Sequence, residues 1–281
     1  MASGVAQAMA AHSPLSALLA EEAGFEAVWA SGFELSALYG LPDLSLISST
    51  QHLQMVDTII ARCPGLPVVA DLDTGFGNAV NVAHAVAAYE RAGVAAVVIE
   101  DKHFPKVTSL APGHARQDLV RAEEFQGKVE VACTARRTPD LVVVARTEAL
   151  IAGLGQKEAL RRASAYAEAG ADMILVHSKH KTPDEILAFC RTWDGKVPLV
   201  LVPTSYPELT VQRVHALGCV GLVIWGNHAI RAAVRAMQAV FTRVRADGGV
   251  HEVEAEIASV AEIFRLQDMD KANELERRYV R

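Results

Sequence analysis

The chain has no long basic block. Its 27 Lys and Arg are outnumbered by 33 Asp and Glu, for a formal net charge of −6. Nucleic acid and anionic membrane both need clustered positive charge, so neither is an expected partner. Long apolar runs are missing too. Charge or glycine interrupts every such run well before the roughly 18 residues that a spanning helix requires. The first ten residues lack a cationic segment, and acids follow at Glu21 and Glu22, so a secretory leader is not expected. Cysteine is scarce: Cys63, Cys133, Cys190 and Cys219 lie far apart and form no CxxC pair. They read as buried, reduced thiols of a cytoplasmic protein. There is no Pro/Ser-rich linker and no low-complexity tract, and no GxGxxG fingerprint follows the first strand candidates.

What the chain does have is apolar residues, 51% of 281. That is enough for one large domain or two small ones with a sizeable core. A single join recurs: a helical pattern, then Ala-Gly or Leu-Gly, then a β-branched run. The glycines are Gly24, Gly93, Gly170 and Gly218. Each sits where a helix end needs a left-handed residue before the chain turns into a strand. Helix starts are marked by Ser13-Pro14, by Thr182-Pro-Asp-Glu185 and by Ser259-Val-Ala-Glu262, the last two with capping-box spacing.

Strand candidates are Ala6–Ala11, Ala27–Ala30, Val68–Asp71, Ala95–Glu100, Leu141–Arg146, Met173–His177, Leu199–Val202 and Val220–Trp225. They are mostly continuous apolar runs rather than alternating ones. Such strands are buried on both faces, which implies parallel pairing under helices. Eight βα units in this length predict an α/β fold of the (β/α)8 TIM-type barrel class, as one domain over residues 1–281. Residues 250–281 add a helical extension, Val260–Gln267 and Lys271–Arg278, which is more than a barrel needs. It is expected to pack on a partner subunit.

In such a barrel the chemistry lies at the C-terminal ends of the strands. Polar residues stand at nearly every exit. Asp71 and Asp73 are two apart and point to one side of an extended backbone. With Glu100 they make three carboxylates in a small volume, costly unless a cation joins them. Oxygen-only ligands favour Mg²⁺ or Mn²⁺ over zinc. The alternative is that Asp73 starts a turn and Glu100 pairs with a lysine. Arg146 offers a fork for a carboxylate or phosphonate, or else an ion pair to Glu148 or Glu100. His177 is placed to give a proton or hydrogen bond to an anionic substrate, or to serve structure. Ser31-Gly32-Phe33 is placed to present backbone N–H groups to a carboxylate. The loop Lys102–Gly113 carries Lys106, Thr108 and Ser109 and has the length of a lid.

These motifs resemble the phosphoenolpyruvate mutase/isocitrate lyase superfamily. The resemblance is carried by Trp29-Ala-Ser-Gly-Phe-Glu, by Ala70-Asp-Leu-Asp-Thr-Gly-Phe-Gly-Asn and by Ile99-Glu-Asp-Lys. It continues through Pro105-Lys106, Thr108-Ser109, Arg146, His177 and Gly226-Asn-His-Ala-Ile230. It implies a barrel whose last helix is exchanged between partners in a homodimer or homotetramer. It implies Mg²⁺, with Mn²⁺ or Co²⁺ as alternatives, held at Asp71 and largely through water by Asp73 and Glu100. Trp29, Ser31, Gly32, Phe33 and Ser109 would bind the substrate, the first turn after Ser31 cradling its carboxylate. Arg146 and His177 would hold the phosphoryl group and the enolate region, with Lys106, Thr108 and Ser109 on a gating loop.

The loop separates the branches. Superfamily lyases carry a Lys-Lys-Cys-Gly-His type sequence there, and this loop has no cysteine. The mutases carry Asn-Ser, whereas this chain has Thr108-Ser109, like the branch that hydrolyses phosphonopyruvate. An Asn amide holds a metaphosphate-like group without attacking it. A Thr hydroxyl either attacks phosphorus or orients a water, and both routes end in pyruvate and inorganic phosphate. The expected substrate is therefore phosphonopyruvate and the expected reaction C–P hydrolysis, with mutase or other C–P or C–C chemistry as the alternative.

Overall fold

Eight runs rich in valine, isoleucine and alanine extend into strands. They are β1 (Ala6–Ala11), β2 (Ala27–Ala30), β3 (Val68–Asp71), β4 (Ala96–Glu100), β5 (Val142–Thr147), β6 (Met173–Val176), β7 (Leu199–Leu201) and β8 (Val220–Trp225). The computed structural model describes residues 4–109 and 117–281. Strand ends differ from the sequence expectation by one residue at β4, β5, β6 and β7, because the ladder hydrogen bonds stop before or after the apolar run does.

All neighbours pair in parallel and in chain order, and β1 pairs with both β2 and β8, so the sheet closes. Parallel pairing requires a crossover between successive strands. Helices supply them: α1 (Pro14–Glu22), α2 (Gly32–Leu38), α3 (Ser49–Arg62), α4 (Ala79–Ala92), α5 (Ala122–Ala135), α6 (Gly155–Glu168), α7 (Asp184–Thr192) and α8 (Val211–His215). The chain is thus a (β/α)8 barrel, as expected.

Strand residues alternate between interior and helix layer. Ala8, Ala10, Trp29, Val98, Val144, Leu175, Val200 and Ile224 fill the interior. Their neighbours Val97, Val143 and Ile174 are equally buried on the other face. Burial on both faces is what makes the runs continuous. Leu175 is fully buried in this closed ring, where truncation to alanine costs about 2–5 kcal/mol.

The recurring join behaves as predicted. Gly24, Gly93, Gly170 and Gly218 have φ of 84°, 93°, 104° and 69°. Ser13 caps α1 with Pro14 in its first turn, and the Ser13–Ser16 pair closes a capping box. Ser259 caps α10 (Val260–Leu266) by accepting from the Glu262 amide, while the Glu262 carboxylate turns to Arg265. Thr182 does not cap α7. Its hydroxyl donates to Asp184 Oδ2 at 3.0 Å, and the cap position falls on Pro183. Cys63 and Cys190 are buried as expected, but Cys133 and Cys219 are only half-buried, and all four are free.

The chain divides into two compact units, Met1–Ala229 and Ile230–Arg281. The first holds the barrel. The second holds most of α9 (His228–Asp247) together with α10 and α11 (Met269–Tyr279). Among the described residues no helix is long and apolar enough to cross a membrane.

Candidate active site

A closed parallel barrel delivers every strand exit to one mouth. There the chain forms a cavity. Trp29, Ser31, Phe33, Asp71, Glu100, Lys106, Thr108, Ser109, Arg146 and His177 all line it. The two remaining predicted residues lie against them. The Gly32 amide donates to Asp71 Oδ2 at 3.2 Å, and Asp73 Oδ1 pairs with Lys106 Nζ at 2.6 Å. Residues from five different strand exits and the loop after β4 are therefore brought together. Pro112 and Gly113 of the expected lid lie outside the described residues.

The acids stand on β3 and β4. Asp71 ends β3, and Asp73 follows with φ of 51°, its amide donating to Asp71 Oδ1 at 3.2 Å. Burial pushes the Asp73 carboxyl up to about 7, against the pull of Lys106 and helped by the Asp71 charge. Burial also raises Glu100, with Lys102 and Arg146 opposing it. Glu100 Oε2 meets Arg146 Nε at 3.3 Å, while Oε1 is buried with no hydrogen-bond partner among the described residues. Gly32 leaves space beside them. A Cβ there would lie 3.0 Å from Asp73 Oδ1 and 3.4 Å from Asp71 Oδ2. Among the described residues, however, no three His, Cys, Asp or Glu side chains close into a ready-made ligand cage. Oxygen donors, an orphaned carboxylate oxygen and open space beside them fit a hard cation that keeps part of its water.

Lys106 is fixed from below. Its ammonium pairs with Asp43 at 2.9 Å as well as with Asp73, and its amide donates to Ser45 Oγ at 3.2 Å. Burial alone would lower its pKa, but the Asp73 and Asp43 charges hold it well above the ordinary value. Thr108 is half-buried at the cavity wall, and its carbonyl accepts from Gln117 Nε2 at 3.1 Å. Trp29 is buried in the floor, and Ser31 caps α2 by accepting from the Glu34 amide at 3.2 Å.

Both ion pairs weighed for Arg146 exist. Nε faces Glu148 Oε1 at 2.5 Å and Glu100 Oε2 at 3.3 Å, and Nη2 donates to Ser109 Oγ at 3.0 Å. Burial opposes the Arg146 charge, yet Glu148 and Glu100 hold the guanidinium firmly protonated. His177 follows β6 and is buried, with Nδ1 lacking a partner among the described residues. Burial pushes it down to about 4, with Glu148 pulling the other way, so it is neutral near pH 7.

Sequence reasoning offered Glu148 only as an ion-pair partner of Arg146, and assigned no role to Lys102, Asp43 or Ser45. Glu148 carried a usable signal, since it stands two residues past Arg146 just as Asp73 stands two past Asp71. Lys102 bears the same relation to Glu100. Asp43 and Ser45 lie in an irregular segment between α2 and α3, where no periodicity points a side chain anywhere.

A family model described as phosphoenolpyruvate phosphomutase matches residues 2–245. A phosphonopyruvate hydrolase from Variovorax sp. (strain Pal2) is 59% identical over 274 residues, covering 98% of this chain and 94% of the relative. A crystal structure of phosphonopyruvate hydrolase in complex with oxalate and Mg++ matches with TM-score 0.93 at 56% identity, over 99% of this chain and 95% of that one. A phosphoenolpyruvate phosphomutase from Streptomyces platensis subsp. rosaceus matches with TM-score 0.96 at 46% identity, over 99% and 96% of the two chains. Backbone likeness does not separate the last two, whereas sequence identity does.

Proposed function

The chain belongs to the phosphoenolpyruvate phosphomutase family, and we propose that it hydrolyses the C–P bond of phosphonopyruvate to pyruvate and inorganic phosphate. The observation that carries this reading is the 59% identity, over nearly the full length, to a phosphonopyruvate hydrolase. Thr108 at the cavity wall gives that likeness a physical sense.

The donor set suits a divalent cation. Asp71 would hold it directly, with Asp73 and Glu100 reaching it through water, as Mg²⁺ favours; Mn²⁺ or Co²⁺ would fit the same oxygens. When bound, the ion supplies a Lewis acid that draws charge from the pyruvyl oxygens.

The residues divide the remaining work. Trp29 gives the substrate an apolar floor, and the start of α2, Ser31 to Phe33, receives its carboxylate. Arg146 and neutral His177 hold the phosphoryl oxygens, and Ser109 keeps Arg146 turned toward them. Lys106 adds positive charge on the loop and helps exclude bulk water. When the C–P bond breaks, its electron pair stays on carbon as the pyruvate enolate, which a proton later converts to pyruvate. The phosphoryl group passes in a metaphosphate-like form to an oxygen. That oxygen belongs to Thr108 or to a water that Thr108 orients. Both routes consume one water and release one phosphate.

Residues 250–281 extend a single barrel domain and pack on a partner subunit, with the last helix exchanged, in a homodimer or homotetramer. Phe241, Phe264 and Tyr279 stay 67%, 47% and 63% exposed, which supports such a contact. Four free thiols suit the cytoplasm. The reaction is tested by incubating the protein with phosphonopyruvate and Mg²⁺. Pyruvate and phosphate should appear in equal amounts, chelation should stop the reaction and added Mg²⁺ should restore it. Turnover that is unaffected by chelation would refute the metal assignment.

A further inference from the structure

Glu148 is fully buried and lies outside the cavity wall, yet it touches what the cavity needs. Oε1 accepts from Arg146 Nε at 2.5 Å. Oε2 accepts from Ser109 Oγ at 2.5 Å and pairs with Lys102 Nζ at 3.0 Å. Lys102 is equally buried and also lies away from the cavity wall. Its ammonium donates to the Val107 carbonyl at 2.8 Å and to Ser109 Oγ at 2.6 Å. Val107 and Ser109 are the two neighbours of Thr108. The pair therefore grips the loop on both sides of a residue that lines the cavity.

The grip is anchored in the barrel wall. The Glu148 amide donates to Asp101 Oδ1 at 2.8 Å, and Thr147 Oγ1 donates to Asp101 Oδ2 at 3.1 Å. Tyr166 and Arg162 of α6 donate to the same Oδ2 at 2.8 and 3.1 Å. Lys102 itself is bridged to Leu119 beyond the loop. Two charges buried this deeply are costly unless each is fully matched, and here each has several partners. A lysine with a long flexible stem is held to one geometry by three acceptors.

We propose that Glu148 and Lys102 are positioning residues forming one buried clamp, which fixes Thr108 on the loop and orients Arg146 in the wall together. One carboxylate oxygen sets the guanidinium and the other sets the loop, so the two halves of the phosphoryl site share a single anchor. Neither residue contacts substrate; both act through Ser109, Val107 and Arg146. The kinetic part of this inference rests on the proposed reaction, whereas the loop-fixing part does not.

The test uses Lys102→Met, Glu148→Gln, their combination and Ser109→Ala, which removes the shared hydroxyl on the loop without touching the core. Hydrogen–deuterium exchange is read on the peptide spanning residues 103–109 of the folded, substrate-free protein. Exchange there should accelerate by about tenfold or more in every variant that folds, while peptides from β4 and β5 stay unchanged. With phosphonopyruvate and Mg²⁺, kcat should fall by about a hundredfold and KM should move by less than about threefold, as expected when reacting groups are misplaced rather than lost. The double variant should be no worse than the poorer single one, because the two residues act as a unit. Unchanged loop exchange in Ser109→Ala and Lys102→Met would overturn the clamp, as would strictly additive losses in the double variant. If the parent protein failed to turn over phosphonopyruvate, the exchange experiment would still decide the clamp.

Discussion

Gly32 and Thr108 are the residues at which single atoms matter most. At Gly32 the limit is space. Alanine fits the backbone there, since Gly32 does not take a left-handed φ. The added Cβ would nevertheless crowd Asp73 Oδ1 at 3.0 Å. Gly32→Ala should therefore lower kcat/KM at least about tenfold in protein that still folds; near-normal activity would mean that the space is not used. At Thr108 the limit is chemistry. Thr108→Ala should reduce kcat by orders of magnitude and KM little, and steady-state kinetics showing the reverse would make Thr108 a binding group. His177 adds a pH signature. Its pKa is about 4 in the fold against an ordinary 6.5. Between those values the unfolded chain binds the extra proton, so the contribution is complete above about pH 6.5 and is lost as pH falls towards 4. The limit is ~3 kcal/mol. Urea unfolding of metal-free protein at pH 7.5 and pH 5 should show a smaller loss for His177→Gln than for the parent, and equal losses would contradict the burial argument. Asp71 was legible as a carboxylate at a strand exit, whereas Asp73 starts a turn past β3 with φ of 51°, so the extended-strand argument does not place it and the turn alternative holds. The partners of Arg146 were half legible, since the sequence offered Glu148 and Glu100 as alternatives and the fold uses both.

Among the elements, the strands were legible because burial on two faces leaves a mark in composition, and the helix ends because glycine takes up a left-handed φ. The cap at Thr182 was misread. The Thr-Pro-Asp-Glu spacing is right, but the hydroxyl finds Asp184 Oδ2 instead of an amide. The loop after β4 was legible as a carrier of Lys106, Thr108 and Ser109. Its anchoring was not, because the anchors come from distant sequence: Ser45 and Asp43 between α2 and α3 hold Lys106, while Glu148 after β5 holds Ser109. Such contacts follow from barrel closure, which no local pattern records.

For the whole molecule, closure explains why residues as far apart as Trp29 and His177 share one cavity. The barrel class could be read from eight runs and their joins, while the division at Ala229 and Ile230 had no sequence marker, since α9 runs through it. Apolar side chains such as Phe241 and Phe264 remain exposed on the C-terminal helices. Light scattering after size exclusion should accordingly give a dimer or tetramer mass, and Phe241→Glu combined with Phe264→Glu should shift it toward the monomer; a monomeric parent would contradict the swapped-helix proposal. The backbone alone does not choose between hydrolysis and rearrangement, because hydrolase and phosphomutase structures match this chain with TM-scores of 0.93 and 0.96. The choice rests on the identity to the hydrolase and on Thr108. Phosphorus NMR of phosphonopyruvate with the protein and Mg²⁺ tests it most directly. The phosphonate signal should be replaced by that of inorganic phosphate; a main product resonating as phosphoenolpyruvate would contradict the account.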